Sequence, residues 1–218
     1  MIYFVIQSTF NMESKDYLKD LNEIKHLMNK SSRFMSLSGL SGILAGIYAL
    51  TGTYFVNIII RNIREESNAF ERFVIAYNSV LTLILIAFGV LFLSVITAIY
   101  LSWRKAKKQN ESLWDAASKR LLVNFMIPLI TGGFFIIFLV EKEMFTLVAP
   151  LTLAFYGLAL VNASKYTLSY IRYLGLTIVA LGLISLWFLS YGLLFWALGF
   201  GVCHIIYGAL MHFKYDKK

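Results

Sequence analysis

Residues 80–100 read VLTLILIAFGVLFLSVITAIY, a run of 21 residues without one charged side chain. A helix needs about 20 apolar residues to cross the hydrocarbon core of a bilayer. Comparable runs in the rest of the chain lead us to predict spans over 35–60, 73–103, 121–140, 145–163, 168–189 and 192–211. The sequence therefore predicts an all-α polytopic membrane protein, in which residues 34–211 form one bundle of six transmembrane helices.

The composition supports the same fold class. Of the 218 residues, 59% are hydrophobic and 15% are charged, whereas a soluble domain is about half apolar and about a quarter charged. This surplus of apolar residues excludes a soluble globule, a coiled coil, a disordered tail and a disulfide scaffold.

The basic residues predict the orientation of the bundle. If the predicted spans alternate in direction, 16 of the 20 Lys and Arg residues fall on one side, in segments 1–33, 104–120, 164–172 and 212–218. The positive-inside rule then places both termini in the cytoplasm. At this face we expect contact with anionic lipid headgroups. We expect no nucleic acid partner, because aromatic residues do not interleave with the basic ones.

The cytoplasmic segment 1–33 contains an amphipathic pattern, and residues 212–218 are predicted to be a basic cytoplasmic tail. Residues with helical spacing on one face are Tyr17, Leu18, Leu21, Ile24, Leu27, Met28 and Ser31. This spacing predicts an N-terminal amphipathic helix over 13–33, which either lies on the membrane surface or docks a partner. Met12 opens a more typical N-terminus than Met1, so both starts stay open.

One face of the first span consists of small residues: Ser38, Ser41, Gly42, Ala45, Gly46 and Ala49. Small residues let helix backbones approach closely in lipid, where apolar side chains gain nothing by leaving their surroundings. The face is expected to pack against another helix of the same chain. Homodimerisation and the lining of a cavity are the alternatives.

Four polar residues lie towards the cytoplasmic half of the predicted spans: Asn124, Asn162, Arg172 and His204. Polar groups in a membrane usually face the bundle interior and pair with one another. One hypothesis is a cytoplasm-facing pocket for an anion or a lipid headgroup. In the alternative, Arg172 reaches the headgroups and the amides tie helices together.

The predicted spans contain few residues that could hold a cofactor or couple transport to an ion. They contain one histidine well inside the membrane, His204, and one cysteine, Cys203, so neither a two-histidine haem nor a metal site is expected. They contain no Asp or Glu, the residues that ion-coupled transporters usually carry inside the membrane.

A short enzyme motif occurs in the first span. The string Gly39-Leu40-Ser41-Gly42 is similar to the Gly-x-Ser-Gly of rhomboid-type intramembrane proteases, and His204 lies in the last span. In rhomboids, however, the serine lies in the fourth span, and residues 74–103 have no counterpart of the histidine and asparagine that support the oxyanion. An intramembrane hydrolase is therefore only a weak hypothesis.

Several strings together resemble an uncharacterised family of six-span bacterial inner-membrane proteins. They are SSRFMSLSGLSG (31–42), AGIYAL (45–50), WDAASKR (114–120), ASKYT (163–167) and WALGFGVCHIIYG (196–208). The similarity begins near residue 13 and implies a bacterial inner-membrane location and a single domain. It implies no activity.

These observations favour a non-enzymatic scaffold, sensor or regulatory subunit. It would contact membrane lipids and either a second copy of the chain or a membrane partner protein. The alternative is a transporter or channel for a small or anionic solute or a lipid. It would use the pocket near Arg172 and helix interruptions at Gly132 and Gly199.

Overall fold

A computed structural model describes residues 34–66, 68–110 and 112–216, which contain helices and turns but no strand. The prediction of an all-α fold is thus confirmed for this part of the chain. The amphipathic helix predicted over 13–33 and the choice of start residue lie outside the described residues.

The described chain forms six helices in sequence: α1 (Gly39–Glu65), α2 (Ala69–Lys108), α3 (Ala116–Glu141), α4 (Phe145–Tyr166), α5 (Ser169–Ser185) and α6 (Leu189–Asp216). A 3-10 turn forms each end of α4. Helix α6 is composite. A 3-10 turn (Leu189–Tyr191) precedes four further segments, which are alternately α and π: Gly192–Trp196, Ala197–Cys203, His204–Met211 and His212–Asp216.

Five of these helices (α1, α2, α3, α4 and α6) are long and apolar enough to cross a membrane, as expected of a multi-pass membrane protein. Helix α5 has 17 residues and is shorter than the predicted span 168–189. It ends early because a turn follows, in which Trp187 N–H donates to Ile184 O and Phe188 N–H to Ser185 O.

Residues 212–216, the start of the predicted cytoplasmic tail, are helical and continue α6. One sequence expectation needs correction. Helix α3 is continuous through Pro128 and Gly132, so the interruption expected at Gly132 is absent. Gly199, in contrast, lies within the π-helical segment of α6.

Helices α4 and α5 pack backbone to backbone at a glycine pair. A Cβ atom added to Gly157 would meet Gly175 O at 2.7 Å, and one added to Gly175 would meet Gly157 O at 2.8 Å. Further along, a Cβ on Gly182 would meet Ala154 N at 2.8 Å. Around this contact lies the buried apolar core, which includes Leu153, Leu160, Ile171, Leu174, Ile178 and Met211.

Helices α1 and α6 approach each other in the same way. A Cβ on Gly46 would meet Gly201 O at 2.6 Å, and one on Gly208 would meet Gly39 O at 2.8 Å. The small-residue face of α1 therefore lies against α6 of the same chain. Homodimerisation through this face would require α1 to separate from α6.

Helix α2 packs on the bundle through α1. Val90 packs against Gly52, where an added Cβ would lie 2.6 Å from Val90 Cγ2, and Tyr48 hydrogen-bonds to Thr97 over 3.3 Å. In the most apolar 18-residue window of α2 no residue is buried, while the corresponding windows of the other four long helices are 11% to 28% buried. Helix α2 is thus a lateral helix with most of its surface uncovered.

Replacing Gly157 by Ala is expected to destabilise the protein by about 1–3 kcal/mol, because the new methyl group must displace the backbone of α5. The matched control is Gly133→Ala in α3, where an added Cβ has no neighbour within 4 Å. There the gain in helix propensity should leave stability unchanged or raise it by up to about 1 kcal/mol. Thermal unfolding in detergent micelles measures both, and equal midpoints would contradict the close α4–α5 packing.

Candidate functional site

Three helix ends meet at one end of the bundle, namely the start of α1, the end of α2 and the end of α6. The first N–H groups of any helix lack partners within that helix, and Ser38, at the N-cap of α1, makes no side-chain capping bond. Asp216 of α6 supplies the acceptor. Its Oδ2 accepts from Gly39 N–H at 2.9 Å and from the Ser38 hydroxyl at 3.4 Å. The start of α1 is thus capped from another helix.

The same carboxylate forms an ion pair with α2. Lys105 Nζ donates to Asp216 Oδ1 at 2.8 Å and to Leu37 O at 2.9 Å, and the Lys105 and Asp216 side chains are 11% and 10% exposed. His212 Nδ1 lies 3.1 Å from Asp216 Oδ2, and it must be the donor because an ionised carboxylate only accepts. We call Gly39, Lys105, His212 and Asp216 the Asp216 junction.

The Asp216 junction suits a structural role. Asp216 accepts from four groups on three helices, and the lysine and the partial positive charge at the start of α1 both stabilise its negative charge. Its oxygens are already engaged, so acid–base chemistry or ion exchange would first require the junction to open. The geometry locks helix ends together.

A second polar pair lies inside the bundle. His204 is 7% exposed, and its Nδ1 is 2.9 Å from Gly199 O, in the π-helical segment. Since a carbonyl oxygen only accepts, Nδ1 carries the proton, and Nε2 accepts from the Tyr156 hydroxyl at 2.8 Å. Phe200 stacks on the imidazole with ring centroids 6.1 Å apart. Both ring nitrogens are therefore satisfied within the protein.

The hydrogen bonds of the four predicted binding residues do not join them into one cluster. Asn162 Nδ2 donates to Asn124 O at 2.8 Å, while Asn124 Nδ2 donates to Arg120 O within α3. Arg172 is exposed and makes no hydrogen bond or ion pair with any other described residue, whereas His204 is buried beside Tyr156. Of the four, only Asn124 and Asn162 are hydrogen-bonded to each other. This bond fits the alternative hypothesis, in which the amides tie helices together.

Ser41 and His204 do not form a nucleophile–base pair. The Ser41 hydroxyl donates to Ser38 O at 2.6 Å, and His204 is bonded to Tyr156 and Gly199. Nucleophilic catalysis requires the serine and the base within hydrogen-bond reach of each other. The arrangement thus gives no support to the hydrolase hypothesis.

Sequence reasoning missed the partners that complete both polar clusters. The i,i+4 spacing of His212 and Asp216 was readable as a helical pair, and Asp216 is the one carboxylate after residue 143. No local pattern in the sequence indicates that Asp216 pairs with Lys105, which is 111 residues away. No pattern singles out Tyr156 among the 13 tyrosines as the partner of His204 either.

Asp216→Asn should lower the free energy of unfolding by about 2 kcal/mol, because it leaves the Lys105 ammonium without its counter-ion in a nearly closed site. The control is Glu65→Gln, which breaks the Arg61–Glu65 pair, with both side chains 68% exposed. It should change stability by less than about 0.5 kcal/mol. Adding Lys105→Met to Asp216→Asn should recover part of the loss. Thermal unfolding in micelles would contradict the role of the junction if Asp216→Asn and the control behaved alike.

Comparisons with protein-family models, with curated proteins and with solved structures find no match for this chain. The resemblance to six-span bacterial inner-membrane proteins therefore stays an expectation from the sequence.

Proposed function

We propose that this chain is a six-span bacterial inner-membrane protein, with both termini in the cytoplasm, that acts as a non-enzymatic scaffold or regulatory subunit. The observation that carries the proposal is the lateral position of α2. None of the 18 residues in its most apolar stretch is buried, whereas the corresponding stretches of the other long helices are partly buried. A helix of this kind offers its surface to lipid and to a partner helix.

The packing of α5 supports six spans. Helix α5 runs antiparallel to α4 over most of its length, since Gly175 faces Gly157 at one level and Gly182 faces Ala154 and Pro150 at another. At a rise of about 1.5 Å per residue, 17 residues cover about 25 Å, close to the thickness of the hydrocarbon core. A helix packed this way would cross the layer that α4 crosses.

The relation between α1 and α6 supports the same count. Gly39, at the start of α1, faces Gly208 near the end of α6, and Gly46 faces Gly201, so the two helices are antiparallel. Antiparallel first and last spans require an even number of crossings. Both termini then lie on one side, and the basic segments favour the cytoplasm for that side.

The side chains of His204 and Asn162 are bonded to other groups of the protein, which favours a scaffold over a transporter. The one histidine inside the bundle is engaged on both nitrogens, and the Asn162 side chain bonds to the backbone of α3. A transporter needs polar groups that can release one another to take up a substrate. His204 instead ties α6 to α4, and Asn162 ties α4 to α3.

The partner surface that we propose is the face of α2 around Gly89. A Cβ added to Gly89 has no neighbour within 4 Å, so the backbone of a second helix can approach there, as small residues allow in membranes. At the end of α2, Lys107 lies over the Trp103 ring at 5.5 Å, an arrangement typical of residues at the headgroup level. The proposed occupant is a transmembrane helix of a membrane partner protein.

The six-span topology can be tested by labelling single cysteines in the Cys203→Ala background. Lys165→Cys lies in the 3-10 turn at the end of α4, Ser190→Cys lies in the 3-10 turn at the start of α6, and both positions are exposed. A membrane-impermeant maleimide should label Ser190→Cys in intact cells and Lys165→Cys only after permeabilisation. Labelling of both on the same side would mean that α5 does not cross the membrane.

The docking role of α2 can be tested with a photo-crosslinking phenylalanine analogue. It is placed at Phe88 of α2, which is 65% exposed, and at the matched control Phe134 of α3, which is 71% exposed. Position 88 should give one discrete protein adduct in native membranes, and position 134 should give lipid adducts only.

A further substitution shows whether that adduct depends on close helix approach. Gly89→Leu fills the open space and should abolish the adduct at position 88 without lowering the unfolding midpoint. Lipid adducts alone at both positions, or an adduct that persists in Gly89→Leu, would overturn the proposed docking surface.

A further inference from the structure

A groove of about 440 Å³ opens between α1 and α6 at the end of the bundle away from the Asp216 junction. We propose that this outer groove, lined by Leu50, Asn57 and Arg64 of α1 and by Tyr191, Leu194 and Ala197 of α6, binds one phospholipid. Its phosphate would lie on Arg64, and an acyl chain would lie along Leu50, Leu194 and Ala197.

The groove arises from how the two helices pack. At Gly46 and Gly201 the backbones are at contact distance, because a Cβ on Gly46 would meet Gly201 O at 2.6 Å. Beyond this level the groove is lined by large side chains, among them Leu50 and Tyr54 of α1 and Leu194 of α6, and by the smaller Thr53 and Ala197. The groove therefore lies between α1 and α6 beyond the glycine contact, towards the end of α1.

The groove is apolar at one end and polar at the other, as a phospholipid is from its acyl chains to its headgroup. Leu50 and Arg64 are 14 residues apart, which corresponds to about 21 Å along a helix. One leaflet contributes about 15 Å of hydrocarbon below its headgroups. With the start of α1 at the inner interface, Leu50 lies near the bilayer centre, and Asn57 and Arg64 lie near the opposite surface.

Arg64 has the chemistry for a phosphate. Its guanidinium makes no hydrogen bond or ion pair with another described residue, whereas Arg61, one turn earlier, pairs with Glu65 at 3.5 Å. The adjacent Glu66 carboxylate accepts from Asn68 N–H at 2.9 Å. A planar guanidinium with five donors binds a phosphate in two-point geometry. Asn57 and Ser190 also line the groove and can bond to the ester and glycerol oxygens.

The occupant of the groove does not depend on the proposed scaffold function. Only the assignment to the outer leaflet rests on the six-span topology. Failure of the crosslinking experiment at α2 would therefore leave this inference standing, and failure of the lipid experiment would leave the α2 surface standing.

The test uses the full chain purified in detergent, with palmitoyl-oleoyl phosphatidylglycerol as the probe and native mass spectrometry to count bound lipid. Arg64→Gln should weaken binding of the most tightly held lipid by about tenfold, the scale expected for loss of a charge-assisted contact. Arg61→Gln, on the same helix end but outside the groove, should leave it unchanged. If both variants weakened lipid binding equally, the binding would depend on the overall surface charge rather than on Arg64, and the proposal would be overturned.

Two further probes separate a lipid from other sources of the same chemistry. Glycerol 3-phosphate has the phosphate without acyl chains, and monoolein has a chain without phosphate, so neither should displace the phospholipid at equal concentration. Displacement by glycerol 3-phosphate would assign the site to a free phosphate ester, and displacement by monoolein would mean a nonspecific apolar surface. Either result would overturn the lipid proposal.

The apolar half of the groove has its own matched variants. Leu194→Trp narrows the groove and should weaken lipid binding, while Leu186→Trp, exposed on the preceding turn, should not. Unfolding midpoints like that of the unmodified chain show that both variants are folded. Undiminished binding in a folded Leu194→Trp would contradict the position of the acyl chain.

Discussion

Close approach of helix backbones at glycines is the constraint on which the rest of this structure depends. In lipid, apolar side chains gain nothing by leaving their surroundings, so helices associate through packing contacts and hydrogen bonds. Gly157 and Gly175 join α4 to α5, and Gly46 and Gly201 join α1 to α6. Each contact leaves no room for a Cβ atom, so these positions fix which helices are neighbours.

The Asp216 junction adds a polar constraint where the glycine contacts end. Backbone packing fixes the distance between α1 and α6 but allows each to slide along the other. The carboxylate bonds to the first N–H of α1 and to Lys105 of α2, so sliding would break bonds to charged groups in a nearly closed site. Such a loss costs more than a neutral hydrogen bond. The junction therefore fixes the register of three helices.

The sequence predicted what depends on distance along one helix. Apolar runs located five long helices and a shorter sixth, and the small face of α1 could be recognised from its spacing. Rotation about the helix axis and the identity of a hydrogen-bond partner depend on other helices, and a pattern along one helix does not predict them. Asn162, Arg172 and His204 were placed at related depths, yet Arg172 faces outward while His204 bonds to Tyr156. Nor did the sequence reveal that α6 continues to Asp216, which bonds to residues far away in the chain.

The position of the glycines also distinguishes the two ends of the α1–α6 pair. On α1, Gly39, Gly42 and Gly46 face α6, but the next residue facing it is Leu50, whose side chain packs against Gly201. From there outward, side chains of both helices line the groove. Close backbone packing near the Asp216 junction thus gives way, beyond Gly46, to the groove at the opposite end. On the proposals above, the chain holds a fixed helix register at one end of the bundle and a groove for a phospholipid chain at the other.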